Sequence, residues 1–268
     1  MNIKNTYKKH IQLNNKLHDI ADLAIEQLDA KELSTTDVSM YELILLSIMA
    51  KSRKHYNAVQ KLCISGFGEE AGLVVRSMAN ALIDIGYIAK CGKEKLSERF
   101  TRFSWIIKKR KIKIAEMLDE YTKRFNSKEE SEKWEKRKQE IFTEVKKFRE
   151  DYKSKGKERD WSGCSIETKS ERAGRGIELI YQTVYRYFSD IDHGNAEALD
   201  KYVQSSDIGG TKFLSEPSES HVEETLRESF RIYLAITEEF CKQFELKGFG
   251  EKIKSLVKDF KDLYGRKI

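Results

Sequence analysis

The sequence predicts an all-α protein, a multi-helix bundle with one long charged helical hairpin and at most one short β-hairpin or ordered loop. Three observations predict it. A single proline and fifteen glycines in 268 residues leave few places where a helix must stop. The remaining composition favours helix formers, while 39% hydrophobic and 10% aromatic content is enough to bury a sizeable core. Apolar residues recur at three- and four-residue steps along most of the chain.

The first helix is expected from about Ile3 to Leu28. The second follows the polar cluster Ser34-Thr35-Thr36-Asp37, which reads as a capping segment, and runs to about Ile64. Ser65-Gly66-Phe67-Gly68 then breaks the chain. The third helix, Glu69 to about Lys90, is apolar nearly all round and reads as the central buried helix, with one polar stripe of Glu69, Arg76, Asn80 and Tyr87. From Leu96 to Tyr152 the chain is highly charged and turns near Asn126-Ser127. Its second half carries a thin apolar stripe of Trp134, Ile141, Phe142, Val145, Phe148 and Tyr152, the pattern of a hairpin closed along a narrow seam.

Ser154 to Gly163 reads as a loop. A short helix from about Ile166 bends at Gly174 and Gly176 into a second one carrying Arg186 and His193. Ala196 to Val203 reads as a short helix, and Ser205 to Leu214 as the one place for a β-hairpin or ordered loop. Ser218 is placed to cap the next helix, which runs to about Leu246, and a final helix follows Gly250. No internal repeat is visible. The expected organisation is a single helical domain, 1–268, with residues 94–160 as a charged hairpin protruding from the bundle or packed along it.

Charge is unevenly spread. Residues 93–160 hold 23 basic and 15 acidic side chains, a net +8 within a total of +6. The densest piece, Lys108-Lys109-Arg110-Lys111-Ile112-Lys113, suits attraction of nucleic acid or an acidic partner, and equally suits a solvated helix face. Cys63, Cys91, Cys164 and Cys241 lack a CxxC pair or a regular framework, which argues against a zinc ribbon and a disulfide scaffold. The N-terminal residues are amphipathic and the apolar run Tyr41 to Ala50 is short. A cytoplasmic location without membrane contact is therefore expected.

Chemistry is hinted at in one stretch, Tyr185 to Gly194. At 100° per residue Ile180, Val184, Tyr187, Phe188 and Ile191 share the core face, whereas Gln182, Arg186, Ser189 and His193 line the opposite side. Arg186 and His193 would stand about 10 Å apart over two turns, a gap long side chains can close around one anion. His193 at a helix C-terminus is suited to titrate near neutral pH, and equally to cap the helix. Asp190 could instead neutralise Arg186. Arg76, inside the most apolar helix, requires a partner: Glu69, or a bound anion. Asp190, Asp192 and His193 have no second cluster to complete a metal site, and the glycines form neither a phosphate loop nor a dinucleotide fingerprint. No metal and no cofactor are expected.

Glu70-Ala71 with Arg76-Ser77-Met78, and Trp161-Ser162-Gly163 followed by Tyr181, Tyr185, Ser189 and His193, resemble an uncharacterised bacterial all-helical family. That family's pattern is Arg-Ser-x-x-Glu on one helix and Tyr-x-x-x-Ser-x-x-x-His on another. Asn80 stands where the pattern has glutamate. The spacing of Arg186 and His193, with six residues between, is similar to that of the higher eukaryote and prokaryote nucleotide-binding (HEPN) superfamily, although Tyr187 replaces the usual small polar residue. This resemblance implies a metal-independent endoribonuclease or RNA-binding effector in anti-phage defence or a toxin system. Arg186 would hold the phosphate and His193 move a proton, with Arg76, Asn80, Tyr185, Ser189, Lys108, Lys109 and Arg110 binding substrate. It also implies a homodimer and an antitoxin or defence-system partner protein. The alternative is a non-catalytic helical module that recognises a small anion or a protein partner.

Overall fold

The computed structural model describes residues 2–34, 36–118, 127–154, 158–192, 202–205, 211–213 and 215–265. The chain is an all-α, multi-helix fold. A short α1 (Ile3–Thr6) leads into α2 (Lys8–Asp29), then α3 (Met40–Ile64) and α4 (Gly68–Cys91). The expected first helix is thus interrupted at Tyr7. The cap of α3 is Ser39, not the Ser34–Asp37 cluster: the Glu42 N–H donates to Ser39 Oγ at 3.3 Å and the Ser39 N–H to Glu42 Oε2 at 2.6 Å.

After α4 come α5 (Lys93–Arg102), α6 (Ser104–Met117), α7 (Lys128–Asp151), α8 (Ile166–Ala173) and α9 (Arg175–Ile180). A π turn, Tyr181–Tyr185, joins α9 to α10 (Arg186–Asp192). Strands β1 (Val203–Ser205) and β2 (Thr211–Phe213) pair antiparallel, with Gln204 opposite Lys212. Finally α11 (Val222–Gln243) and α12 (Phe249–Tyr264) complete the bundle. The expected helix at Ala196–Val203 lies almost wholly outside the described residues, as does His193.

Helix α4 is the centre. It packs against α3, α8, α10 and α11, and Val75, Met78, Ala79, Ile83 and Ile88 are fully buried. Among the described residues it is also the helix long and apolar enough to cross a membrane by length and composition. A buried core helix meets the same test, and here the apolar stripes of α3 and α11 cover it. Behind it, Tyr56 packs against Tyr233 with ring centroids 4.4 Å apart and planes tilted by 32°, and donates to Asn14 Oδ1 at 2.5 Å, tying α2, α3 and α11 together.

The charged segment divides in two. Helix α5 packs on α3 and α4, whereas α6 and α7 pair with each other over a separate apolar cluster of Ile106, Ile112, Ile141, Val145 and Phe148. Ser218 does not cap α11. Its hydroxyl accepts from the Ser220 N–H, and the helix instead begins after His221, held in the left-handed region at φ 57°.

Candidate functional site

Polar side chains meet along one edge of α4 at three levels. At its N-terminus the turn before α11 presses close: a Cβ on Gly68 would stand 2.3 Å from the Ser220 carbonyl oxygen. Only glycine permits that approach. The turn sets His221 over Glu69, with Nε2 3.6 Å from Glu69 Oε1, while Nδ1 lies 2.7 Å from the Tyr187 hydroxyl on α10. The Ser220 hydroxyl donates to the same Glu69 oxygen at 2.9 Å. Tyr202 is also hydrogen-bonded to Glu69, and that bond, with burial and the Glu69 and Glu70 charges, pushes its phenol up to about 12. Burial, then the Glu224 charge, raises Tyr187 as well. Tyr187 therefore keeps its proton at neutral pH and shares a hydrogen bond with His221 Nδ1, while Nε2 faces Glu69.

Two turns further along α4, Arg76 lies over the Tyr185 ring at 5.0 Å and donates to its hydroxyl at 3.4 Å. Glu69, the expected partner, is directed to His221 and Ser220 instead. Tyr185 ends the π turn, whose extra residue rotates it toward α4, stacked on Tyr181 at 5.5 Å. Such insertions recur at functional sites. Ser189 donates to the Tyr185 carbonyl at 2.5 Å. Arg186 follows at once, exposed, reaching back to Gln182 Oε1 at 3.2 Å and not forward to Asp190. Ile180, Val184 and Phe188 are buried as the periodicity requires, but Tyr187 is 39% exposed and leaves the core face for His221. Asn80 is exposed on the same edge of α4.

At the third level lies a buried ion cluster. Lys169 on α8, its side chain 1% exposed, donates to Asp84 Oδ1 at 2.6 Å and to Asp160 Oδ2 at 3.0 Å. The Trp161 indole N–H donates to the same Asp84 oxygen at 3.0 Å. The Ser162 N–H and hydroxyl both bond Asp160, so the Trp-Ser-Gly motif is the loop that assembles this cluster. Burial would lower Lys169, but the two carboxylates outweigh it and raise its pKa, so it stays charged. For Asp84 burial dominates, and its pKa rises despite Lys169.

The basic trio sits apart, on α6. Lys108 lies over Trp105 at 3.8 Å, Lys109 over Phe142 at 4.8 Å and Arg110 over Phe103 at 5.6 Å, with Arg110 also bonded to the Glu158 carbonyl. Their stems cover the seam of the α6–α7 hairpin. The structure thus joins Arg76 to Tyr185 and Ser189 to the Tyr185 carbonyl, leaves Arg186 exposed and bonded to Gln182, and keeps Lys108, Lys109 and Arg110 on the hairpin.

Residues 42–211 match the model of a family of unknown function, DUF5677. The chain belongs to this family. No curated protein and no solved structure matches it. The DUF5677 region opens in the first turn of α3 and closes at the start of β2. It therefore includes the Arg76–Tyr185 pair, the ion cluster and Arg186, whereas His221 lies beyond it. Sequence reasoning missed Asp84, Asp160, Lys169 and His221. A carboxylate one turn beyond Asn80 in a buried helix was a signal for Asp84; the others are brought in by tertiary contact alone.

Proposed function

We propose that this chain is a HEPN-like RNA-directed effector that binds single-stranded RNA across α4 and α10 and cleaves it without a metal ion. The observation that carries the reading is the π turn that ends in Tyr185 and delivers Arg186 to solvent beside the Arg76–Tyr185 pair. Two guanidinium groups flanking an aromatic stack suit a phosphodiester with its base against a ring. In this reading Arg186 holds the scissile phosphate. His193, placed by sequence spacing alone, takes the proton of the attacking 2′-hydroxyl; the 2′-oxygen bonds to phosphorus as the P–O5′ bond breaks, the departing 5′-oxygen takes a proton from solvent water and His193 later returns its own to solvent, giving a 2′,3′-cyclic phosphate and a 5′-hydroxyl. A homodimer, a cytoplasmic location and an antitoxin or defence-system partner belong to the same proposal.

The purified protein is expected to cleave single-stranded RNA in the presence of EDTA, with cyclic-phosphate ends. Arg186→Ala and His193→Ala should each slow cleavage on the order of 100-fold or more. Cleavage at the parent rate by either variant defeats the assignment. The second reading, a non-catalytic module for a small anion or a protein partner, is favoured by Asn80 in the glutamate position and by Tyr187 after Arg186. It predicts no cleavage, with anion or partner binding weakened by Arg76→Ala.

A further inference from the structure

On the α3 side of α4 lies a cavity of 530 Å³ between α3, α4 and the α5–α6 junction. Its volume is within the range of small-molecule sites, about 300–1,000 Å³. Leu43, Ile44, Ile48, Ala81 and Phe100 make its wall predominantly apolar, with Ser77 and Asn80 from α4. Asp84 also lines it, and Asp84 is asymmetrically used. Lys169 and Trp161 both donate to Oδ1, and among the described residues nothing donates to Oδ2. Asp84 is 13% exposed, so Oδ2 keeps its acceptor positions open to a donor that enters from solvent. The cluster behind it sets two carboxylates, Asp84 and Asp160, against the single ammonium of Lys169, so a second donor of positive charge is accommodated there and a second anion is not. Lys51 stands at the rim, exposed.

We propose that this cavity binds a small amphipathic amine, whose ammonium donates to Asp84 Oδ2 and whose apolar body lies against Leu43, Ile44, Ile48 and Phe100. Asn80 is shared with the residues expected to bind substrate, but neither Asp84 nor Ser77 has a role in the proposed RNA cleavage, so either reading can fail without the other.

Tryptamine, its neutral analogue tryptophol and the anionic indole-3-acetate serve as probes on the full chain, by calorimetry and by the Ile44 and Ile48 methyl signals in NMR. Tryptamine is expected to shift both methyl signals and to bind at least tenfold more tightly than tryptophol, with indole-3-acetate weakest. Asp84→Asn should abolish the preference for the amine. Because Asp84 also anchors Lys169, Ser77→Phe provides a second variant that fills the half-exposed side of the cavity without touching the cluster, and it should abolish binding while circular dichroism stays unchanged. Equal binding of tryptamine and tryptophol, tighter binding of indole-3-acetate drawn to Lys51, tryptamine shifts confined to other isoleucines, or binding retained in a folded Ser77→Phe variant would each overturn the proposal.

Discussion

Lys169 illustrates how much can depend on one side chain. Its ammonium donates a charged hydrogen bond to both Asp84 and Asp160, at 2.6 and 3.0 Å, and lies over the Trp161 ring, 5.4 Å from the centroid. Replacing it by methionine keeps the volume but leaves Asp84 on α4, 13% exposed, and Asp160, 35% exposed, without their shared cation. The expected cost is about 3–5 kcal/mol, the range for stranding one side of a buried ion pair. Chemical denaturation of Lys169→Met measures it, and adding Asp84→Leu should recover part of the loss by removing the stranded charge. If Lys169→Met unfolds at the parent midpoint, the cluster is not structural. Beyond the position of Asp84 in a buried helix, little of this was legible in the sequence. Lys169, Asp84 and Asp160 look like ordinary charged residues of a chain that is 35% charged, and only the fold sets them together.

At the scale of elements the helices themselves were legible because their burial is periodic. Leu13, Leu17, Ala21, Ala24 and Leu28 on α2 are all buried at three- and four-residue steps. Boundaries were less so: Ser34 and Ser39 are equally good caps by residue type, and the choice fell to Ser39 because Glu42 returns the bond. The π turn was not legible, since no residue type demands one; it follows from fitting Phe188 against α4. There a Cβ on Gly72 would stand 2.3 Å from Phe188 Cδ1, closer than a carbon contact allows. Gly72→Ala should therefore destabilise the protein by about 1–3 kcal/mol through overpacking, despite the roughly 1 kcal/mol that alanine gains over glycine in a helix interior. A companion Phe188→Leu change should relieve part of it. Thermal melts of the single and double variants check this, and a Gly72→Ala variant more stable than the parent would show that the ring moves aside freely.

For the whole molecule, the separate apolar cluster of the α6–α7 hairpin implies that acid acts unevenly on the chain. Burial would raise Glu158, but bonds from Arg149 Nε at 2.9 Å and Nη2 at 3.2 Å, a bond from Ser154 and the Arg149 charge hold it at about 2, below its ordinary 4.5. Its folded pKa is depressed, so its contribution is fully present above about 4.5 and is lost as pH falls from there toward about 2. That contribution closes the end of α7 onto the loop that also accepts Arg110 from α6. The main bundle leans chiefly on apolar contacts and on Tyr56, whose hydroxyl does not titrate in acid, and its acid-sensitive groups are Asp22, paired with Arg53, and Asp84, paired with Lys169. Trp105 and Trp134 pack on the hairpin cluster and Trp161 in the bundle, so their three indole N–H signals report the two regions separately. Between pH 4.5 and 2 the first two are expected to shift and broaden together, whereas the third, whose indole N–H donates to Asp84, shifts earlier as that carboxyl, raised by burial, takes up its proton, and broadens only when the bundle itself opens. Glu158→Gln should place the first two in the low-pH position already at neutral pH, because a neutral amide cannot hold Arg149 as a carboxylate does. Simultaneous loss of all three signals in the parent protein, at one pH, would mean that hairpin and bundle unfold as a single unit.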